Sequence, residues 1–111
     1  MHKSAVISEC GQYRYSLTRC WDERLPVCIF VVLNPSTADA SLDDPTIRRC
    51  INFAKREGCG QLWVVNLFAF RATEPADMKN AADPIGPRNP ETIDTYFEYA
   101  RGHRAKVIVG W

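Results

Sequence analysis

The stretch VCIFVVL, Val27 to Leu33, constrains the fold of this chain more than any other. An unbroken apolar run rich in β-branched side chains has no polar face to offer water. It belongs in a strand covered on both sides, as in a parallel sheet between helices. QLWVVNLFAF and AKVIVGW repeat the pattern further along and read as a second and a third buried strand, with Trp63 in the core.

The segments between these runs have a different period. Ile47, Cys50, Ile51 and Ala54 recur at helical spacing, while Arg48, Arg49, Asn52, Lys55 and Arg56 fall mostly on the other side. Asp44 before Pro45 predicts the start of this helix, an aspartate cap followed by proline at the first helical position, and Gly58 predicts its end. Asn89-Pro90 opens a second helix with Ile93, Phe97 and Ala100 on one face, Tyr96 beside it and Gly102 at its close. RATEPADM and the proline- and glycine-rich KNAADPIGPRNP read as loops.

Ahead of these elements, SAVISECGQYRYSLTRCW predicts two short strands around a turn at Cys10-Gly11-Gln12, with Tyr13, Tyr15 and Leu17 alternating against Arg14, Ser16 and Thr18. The expected fold is therefore α/β: a three-layer, open, mostly parallel sheet with flanking helices and right-handed crossovers, preceded by a short N-terminal β-hairpin. The 111 residues fit one domain, 1–111. AKVIVGW stops in what reads as a strand, so the domain is expected to be incomplete, truncated at its C-terminus.

Composition narrows the function classes. A formal net charge of +1 supplies no global field for nucleic acid, so such a partner must be held by a local patch. No apolar stretch reaches the roughly 18 residues of a membrane span, and MHKSAVISECGQ lacks the apolar length of a signal peptide; the chain is read as cytoplasmic. Five cysteines without a Cys-x-x-Cys pair, and only two histidines, His2 and His103, give no metal-ligand spacing. Reduced thiols are expected, with no metal and no cofactor.

In open parallel sheets ligands bind beyond the carboxyl ends of the strands. The first strand delivers Asn34, Pro35, Ser36, Thr37 and Asp39 there, the second Asn66 followed by Arg71 and Thr73, and the third Trp111. Asn34 before Pro35 is held extended; its amide either ties off the turn or orients a water or a base edge. Ser36 and Thr37 either bond their own backbone or donate to phosphate. Asp44 reads as the helix cap, Asp43 as favourable charge near the helix start, while Asp39 has no such structural reason. Arg48 and Arg49 are either solvated partners of Asp43 and Asp44 or phosphate holders. Arg71 has the same two readings, and Trp111 either covers the sheet end or stacks on a ring.

RYSLTRCW, LNPSTADASLDDPTIRRCINFA, VVNLFAFRATEP and VIVGW together resemble the bacterial domain-of-unknown-function 1643 family over nearly the whole chain. That family implies no activity, and its members continue past the Gly-Trp. A more distant resemblance is to the uracil-DNA glycosylase superfamily. The mismatch-specific branch carries Gly-Ile-Asn-Pro-Gly after its first strand, where this chain has Val32-Leu33-Asn34-Pro35-Ser36. That resemblance implies a parallel sheet between helices and gives Asn34 the role of positioning the attacking water. Val32 replaces the leading glycine, the second motif would lie beyond Trp111, and Phe68 or Phe70 stands nearest to a base-stacking aromatic.

Two functional expectations follow. The first is a protein that acts on or binds nucleic acid bases or nucleotides through a polar pocket at the strand ends; if an enzyme, it is a glycosylase-like hydrolase using Asn34 and Asp39. Pro35, Ser36, Thr37, Asp44, Arg48, Arg49, Asn66, Arg71, Thr73 and Trp111 would line or hold the ligand. The second is a non-catalytic module that takes a small anion or nucleotide in the same pocket. The absence of histidine or glutamate near the pocket favours the second.

Overall fold

The computed structural model describes residues 1–71 and 81–110. Their order is β1 (His2–Ile7), β2 (Arg14–Cys20), β3 (Val27–Val32), α1 (Pro45–Arg56), β4 (Gln61–Asn66), α2 (Asn89–Gly102) and β5 (Ala105–Val109). The strands form one sheet in the order β1-β2-β4-β3-β5. β3 pairs parallel with β4 and with β5, while β1 with β2 and β2 with β4 are antiparallel. The expectation of a mostly parallel sheet is thus corrected to a mixed one. β2 is buried along most of its length and extends the sheet against β4, so the N-terminal strands belong to the sheet itself.

Helices cover both faces. Alternate β3 side chains divide between them: Phe30 and Val32 pack with Leu62 and Val64 under Ile47, Cys50 and Ile51 of α1. Val27, Ile29 and Val31 pack with Trp63 and Val65 under Ile93, Tyr96, Phe97 and Tyr99 of α2. The crossover through α1 runs from β3 to β4 on one side, and the crossover through α2 runs back past β3 to β5. Two crossovers of one hand in opposite directions place their helices on opposite faces. Numbered in chain order, the parallel strands lie 2-1-3, which puts a topological switch point beside the carboxyl end of β3.

Local chemistry fixes the bounds of α1. Asp44, at φ −120° and ψ 176°, accepts the Ile47 amide, and Pro45 follows at the first position. At the other end Gly58 adopts φ 77°, its amide donating to the Lys55 carbonyl and that of Cys59 to Ala54. This is a Schellman closure, which needs a left-handed residue that glycine provides without strain. α2 begins differently: no side chain caps it, and Asn89 instead donates inward to the carbonyls of Asn66 and Leu67 at 2.7 and 3.1 Å.

β5 departs from the expected buried strand. It lies at the sheet edge with Val107 40% and Val109 61% exposed. Its apolar run could not reveal an edge position, because strand order depends on the crossovers.

β2 carries the most consequential irregularity. Val6 stands opposite Ser16 and Ile7 opposite Arg14, which makes Tyr15 an extra residue. A bulge resets the side-chain alternation. Ser16 stays on the α2 face near Tyr96, whereas Arg14 emerges on the α1 face beside Ile47 and Cys50. The strict alternation expected of Tyr13 to Thr18, with Arg14 on the polar side, is corrected accordingly. Arg14 and Arg19 are both 0% exposed.

Candidate functional site

The loop after β3 crosses the end of β4 and is anchored on β2. Arg19 anchors its far part: Nε donates to Asp43 Oδ1 at 2.7 Å, and Nη2 to the carbonyls of Asp39 and Leu42 at 2.7 and 3.2 Å. Nη1 donates to the carbonyls of Thr18 and Ser4, so the buried guanidinium is well used. Lys3 Nζ joins Asp43 Oδ2 at 3.0 Å. Burial would raise the Asp43 carboxyl, but the Arg19 and Lys3 bonds hold it below the usual range.

Asp44 closes the loop onto the helix. Its Oδ1 accepts the Ile47 amide at 2.9 Å, and its Oδ2 accepts the Ala38 amide at 3.0 Å and the Thr37 hydroxyl at 3.3 Å. Burial opposes its ionisation, but bonds from Ser36 and from the amides of Ile47 and Ala38 outweigh it and hold the carboxyl below its ordinary value. Asp39 serves the turn it stands in, its Oδ1 accepting the amides of Ser41 and Leu42 at 2.9 and 2.8 Å. The Leu42 and Ser41 amides lower its carboxyl as well.

With Asp39 and Asp44 committed to backbone amides and Asp43 to Arg19 and Lys3, the loop forms a wall between two cavities. One, of about 560 Å³, is the more polar of the two: Asn34, Ser36, Thr37, Asp44, Thr46 and Arg71 line it together with Pro35 and Pro45, with Gly11 at its edge. The other, of about 440 Å³, lies between the sheet and α1, lined by Phe30, Val32, Ile47, Cys50 and Val64, with Arg14 in its wall and Gly110 at the β5 end. Asn34, Pro35, Ser36 and Thr46 border both. Both cavities border the loop leaving the carboxyl end of β3, and the apolar one reaches the β5 side at Gly110, the switch point where open α/β sheets hold ligands.

Among the described residues Asn34 makes one long contact, from Nδ2 to the Pro35 carbonyl at 3.5 Å. Arg71 reaches the site because the chain after β4 folds back along the turn preceding β2: its amide donates to the Gln12 carbonyl at 2.7 Å and its Nη1 to Gly11 at 3.2 Å. Arg14 donates from Nη1 to the Ala38 carbonyl at 2.9 Å and approaches Ser36 at 3.5 Å. Burial pushes its guanidinium down to about 10, still charged at neutral pH.

Of the residues expected from the sequence, Asn34, Pro35, Ser36, Thr37, Asp44 and Arg71 are brought together around the polar cavity. Asp39 lines neither cavity, and Arg48 and Arg49 lie exposed on α1, Arg48 reaching the Asp43 carbonyl at 3.4 Å. Asn66 is fully buried and braces elements together, its Nδ2 donating to the Arg14 carbonyl at 2.8 Å. Thr73 and Trp111 fall outside the described residues. Sequence reasoning missed Arg14, Arg19 and Thr46. The signal for the arginines was their presence at both ends of RYSLTRC, a strand otherwise fit for burial.

A family model described as "Protein of unknown function (DUF1643)" matches residues 14–111. The chain belongs to that family. The DUF1643 match opens at Arg14 and takes in every residue lining either cavity except Gly11. No curated protein and no solved structure matches the chain. Among the described residues no group of three or more His, Cys, Asp or Glu is placed to hold a metal ion, and no helix is long and apolar enough to cross a membrane. The cysteines are free thiols, with Cys28, Cys50 and Cys59 buried.

Proposed function

We propose that this DUF1643 protein binds a nucleobase-bearing ligand, a base of nucleic acid or a nucleotide, in the paired cavities at the carboxyl ends of β3 and β4. The observation that carries this reading is the shared wall: Asn34, Pro35 and Ser36 border the more polar cavity on one side and the more apolar one on the other. An aromatic base needs apolar walls for its faces and a few fixed polar groups at its edge. Asn34, a carboxamide with both a donor and an acceptor, is suited to that edge.

The catalytic form of the reading is a glycosylase-like hydrolysis in which Asn34 holds the attacking water. The Asn-Pro after the first parallel strand and the helices on both faces of the sheet support it. The commitment of Asp39 and Asp44 to loop amides favours the non-catalytic form, since both carboxylates already serve the backbone.

The experiment is direct. The protein and Asn34→Ala are incubated with labelled DNA carrying uracil, mismatched or alkylated bases, and titrated in parallel with bases, nucleosides and nucleotides. Base release lost in Asn34→Ala supports catalysis. Binding without release, weakened at least tenfold by Asn34→Ala, supports the non-catalytic form. No binding of any nucleobase-bearing probe overturns the proposal.

A further inference from the structure

Arg14 and Arg19 leave the same strand and are equally buried, yet their bonding differs. Arg19 has a carboxylate and four carbonyls. Arg14 has the Ala38 carbonyl and two long approaches to Ser36, all through Nη1. Its buried Nε has no acceptor among the described residues. Nor does any ion pair among them join Arg14 to a carboxylate. Asp44 contributes attraction from a distance, but its oxygens are occupied by the amides of Ile47 and Ala38 and the hydroxyls of Thr37 and Ser36. Buried charges are ordinarily paired, because desolvation is otherwise uncompensated. Arg14 lines the apolar cavity instead.

Across the loop wall stands a second guanidinium. Arg71 lines the polar cavity, and Ser36 borders both. Arg14 thus approaches Ser36 from one cavity while Arg71 lines the other cavity that Ser36 borders, and the two like charges repel each other. An anion beside Ser36 would satisfy both.

We propose that Arg14 and Arg71 together hold the terminal phosphate of a free mononucleotide beside Ser36, with its apolar portion against Phe30, Val32 and Cys50. The inference rests on the nucleobase reading above and narrows it, from nucleic acid or nucleotide to the nucleotide alone. A phosphodiester within a strand has chain leaving on both sides and cannot enter a cavity far enough to meet a guanidinium shut off from water. A terminal phosphate can, and it presents more negative charge and free oxygens. The net charge of +1 agrees, since strand binding draws its affinity from neutralising many phosphates.

The test uses the wild-type protein labelled with ¹⁵N-arginine, following the side-chain Nε–H signals during titration with inorganic phosphate, nucleosides, nucleoside 5′-monophosphates and a single-stranded oligonucleotide. Arg14→Lys assigns the signal, and calorimetry with wild type, Arg14→Lys and Arg71→Ala measures affinity. Thermal melts establish that the variants are folded, and the wild-type spectra do not depend on them. Monophosphates are expected to bind at least tenfold more tightly than their nucleosides and to shift the Arg14 signal, with Arg71→Ala removing about tenfold. Nucleosides binding as tightly as monophosphates, or an unmoved Arg14 signal, would overturn the inference and leave the nucleobase reading standing. An oligonucleotide binding more tightly than the monophosphate overturns it too. Phosphate alone moving Arg14, with no gain from any attached nucleoside, supports the anion site while sinking the nucleobase reading.

Discussion

Arg19 donates from Nε to Asp43 Oδ1 at 2.7 Å, joining β2 to a loop that leaves β3, with β4 lying between the two strands. The guanidinium is entirely buried and the carboxylate only 18% exposed. Removing one partner of a buried pair strands the other charge without water. Asp43→Ala is therefore expected to cost about 3 kcal/mol in urea unfolding, at the lower end of such losses because its carboxylate keeps some exposure. Lys3→Ala, which removes only the half-exposed partner of Asp43, should cost no more than about 1 kcal/mol. Equal losses would contradict the division of roles.

Asp44 serves both the helix and the loop. Asp44→Ala strands the Ile47 and Ala38 amides and should cost about 2–3 kcal/mol; Asp44→Asn keeps one acceptor oxygen and should cost less. Because hydrogen bonds hold the folded-state carboxyl below its ordinary value, it contributes stability above the unfolded value of about 4 and loses it as pH falls through the folded one. Denaturation curves from neutral pH downward should show the acid loss in wild type and a smaller one in Asp44→Asn. An unchanged acid slope would remove Asp44 from the account.

Gly60 sits where the chain enters β4. A Cβ there would fall 1.8 Å from the Asp22 carbonyl oxygen and 2.8 Å from Leu25 Cβ. The carbonyl belongs to backbone and cannot swing aside as a side chain would. Gly60→Ala should destabilise by about 2 kcal/mol or more, whereas at Gly102 a Cβ meets nothing within 4 Å and Gly102→Ala should be close to neutral. Melting temperatures of the two variants make the comparison.

Cys28 is buried beside Cys59, and burial above all, then its neighbour, pushes its thiol up to about 12. The unfolded thiol ionises near 8.5. Its contribution is thus complete below that pH and lost progressively as pH rises toward the folded value. Stability should fall over this alkaline range in wild type and fall less steeply in Cys28→Ala. Thiol labelling at pH 8 should modify exposed Cys10 well before Cys28.

The sequence by itself determined what local chemistry determines. Apolar continuity placed β3 and β4; Asp44-Pro45 and Gly58 bounded α1; and the polar exit Asn34 to Thr37 pointed to the loop that lines the cavities, because such residues need a reason to follow a buried strand. Strand order, the edge position of β5 and the reach of the loop to Arg19 came only with the tertiary structure, since they depend on pairing between residues far apart in the chain. Arg14 is the clearest case. Alternation sent it to the polar face, and only the register of β2 against β1, with Tyr15 left over, turns it beneath α1 and into the wall of the cavity. A side chain's face in a sheet follows from pairing with a partner strand, and one extra residue in that pairing reverses it.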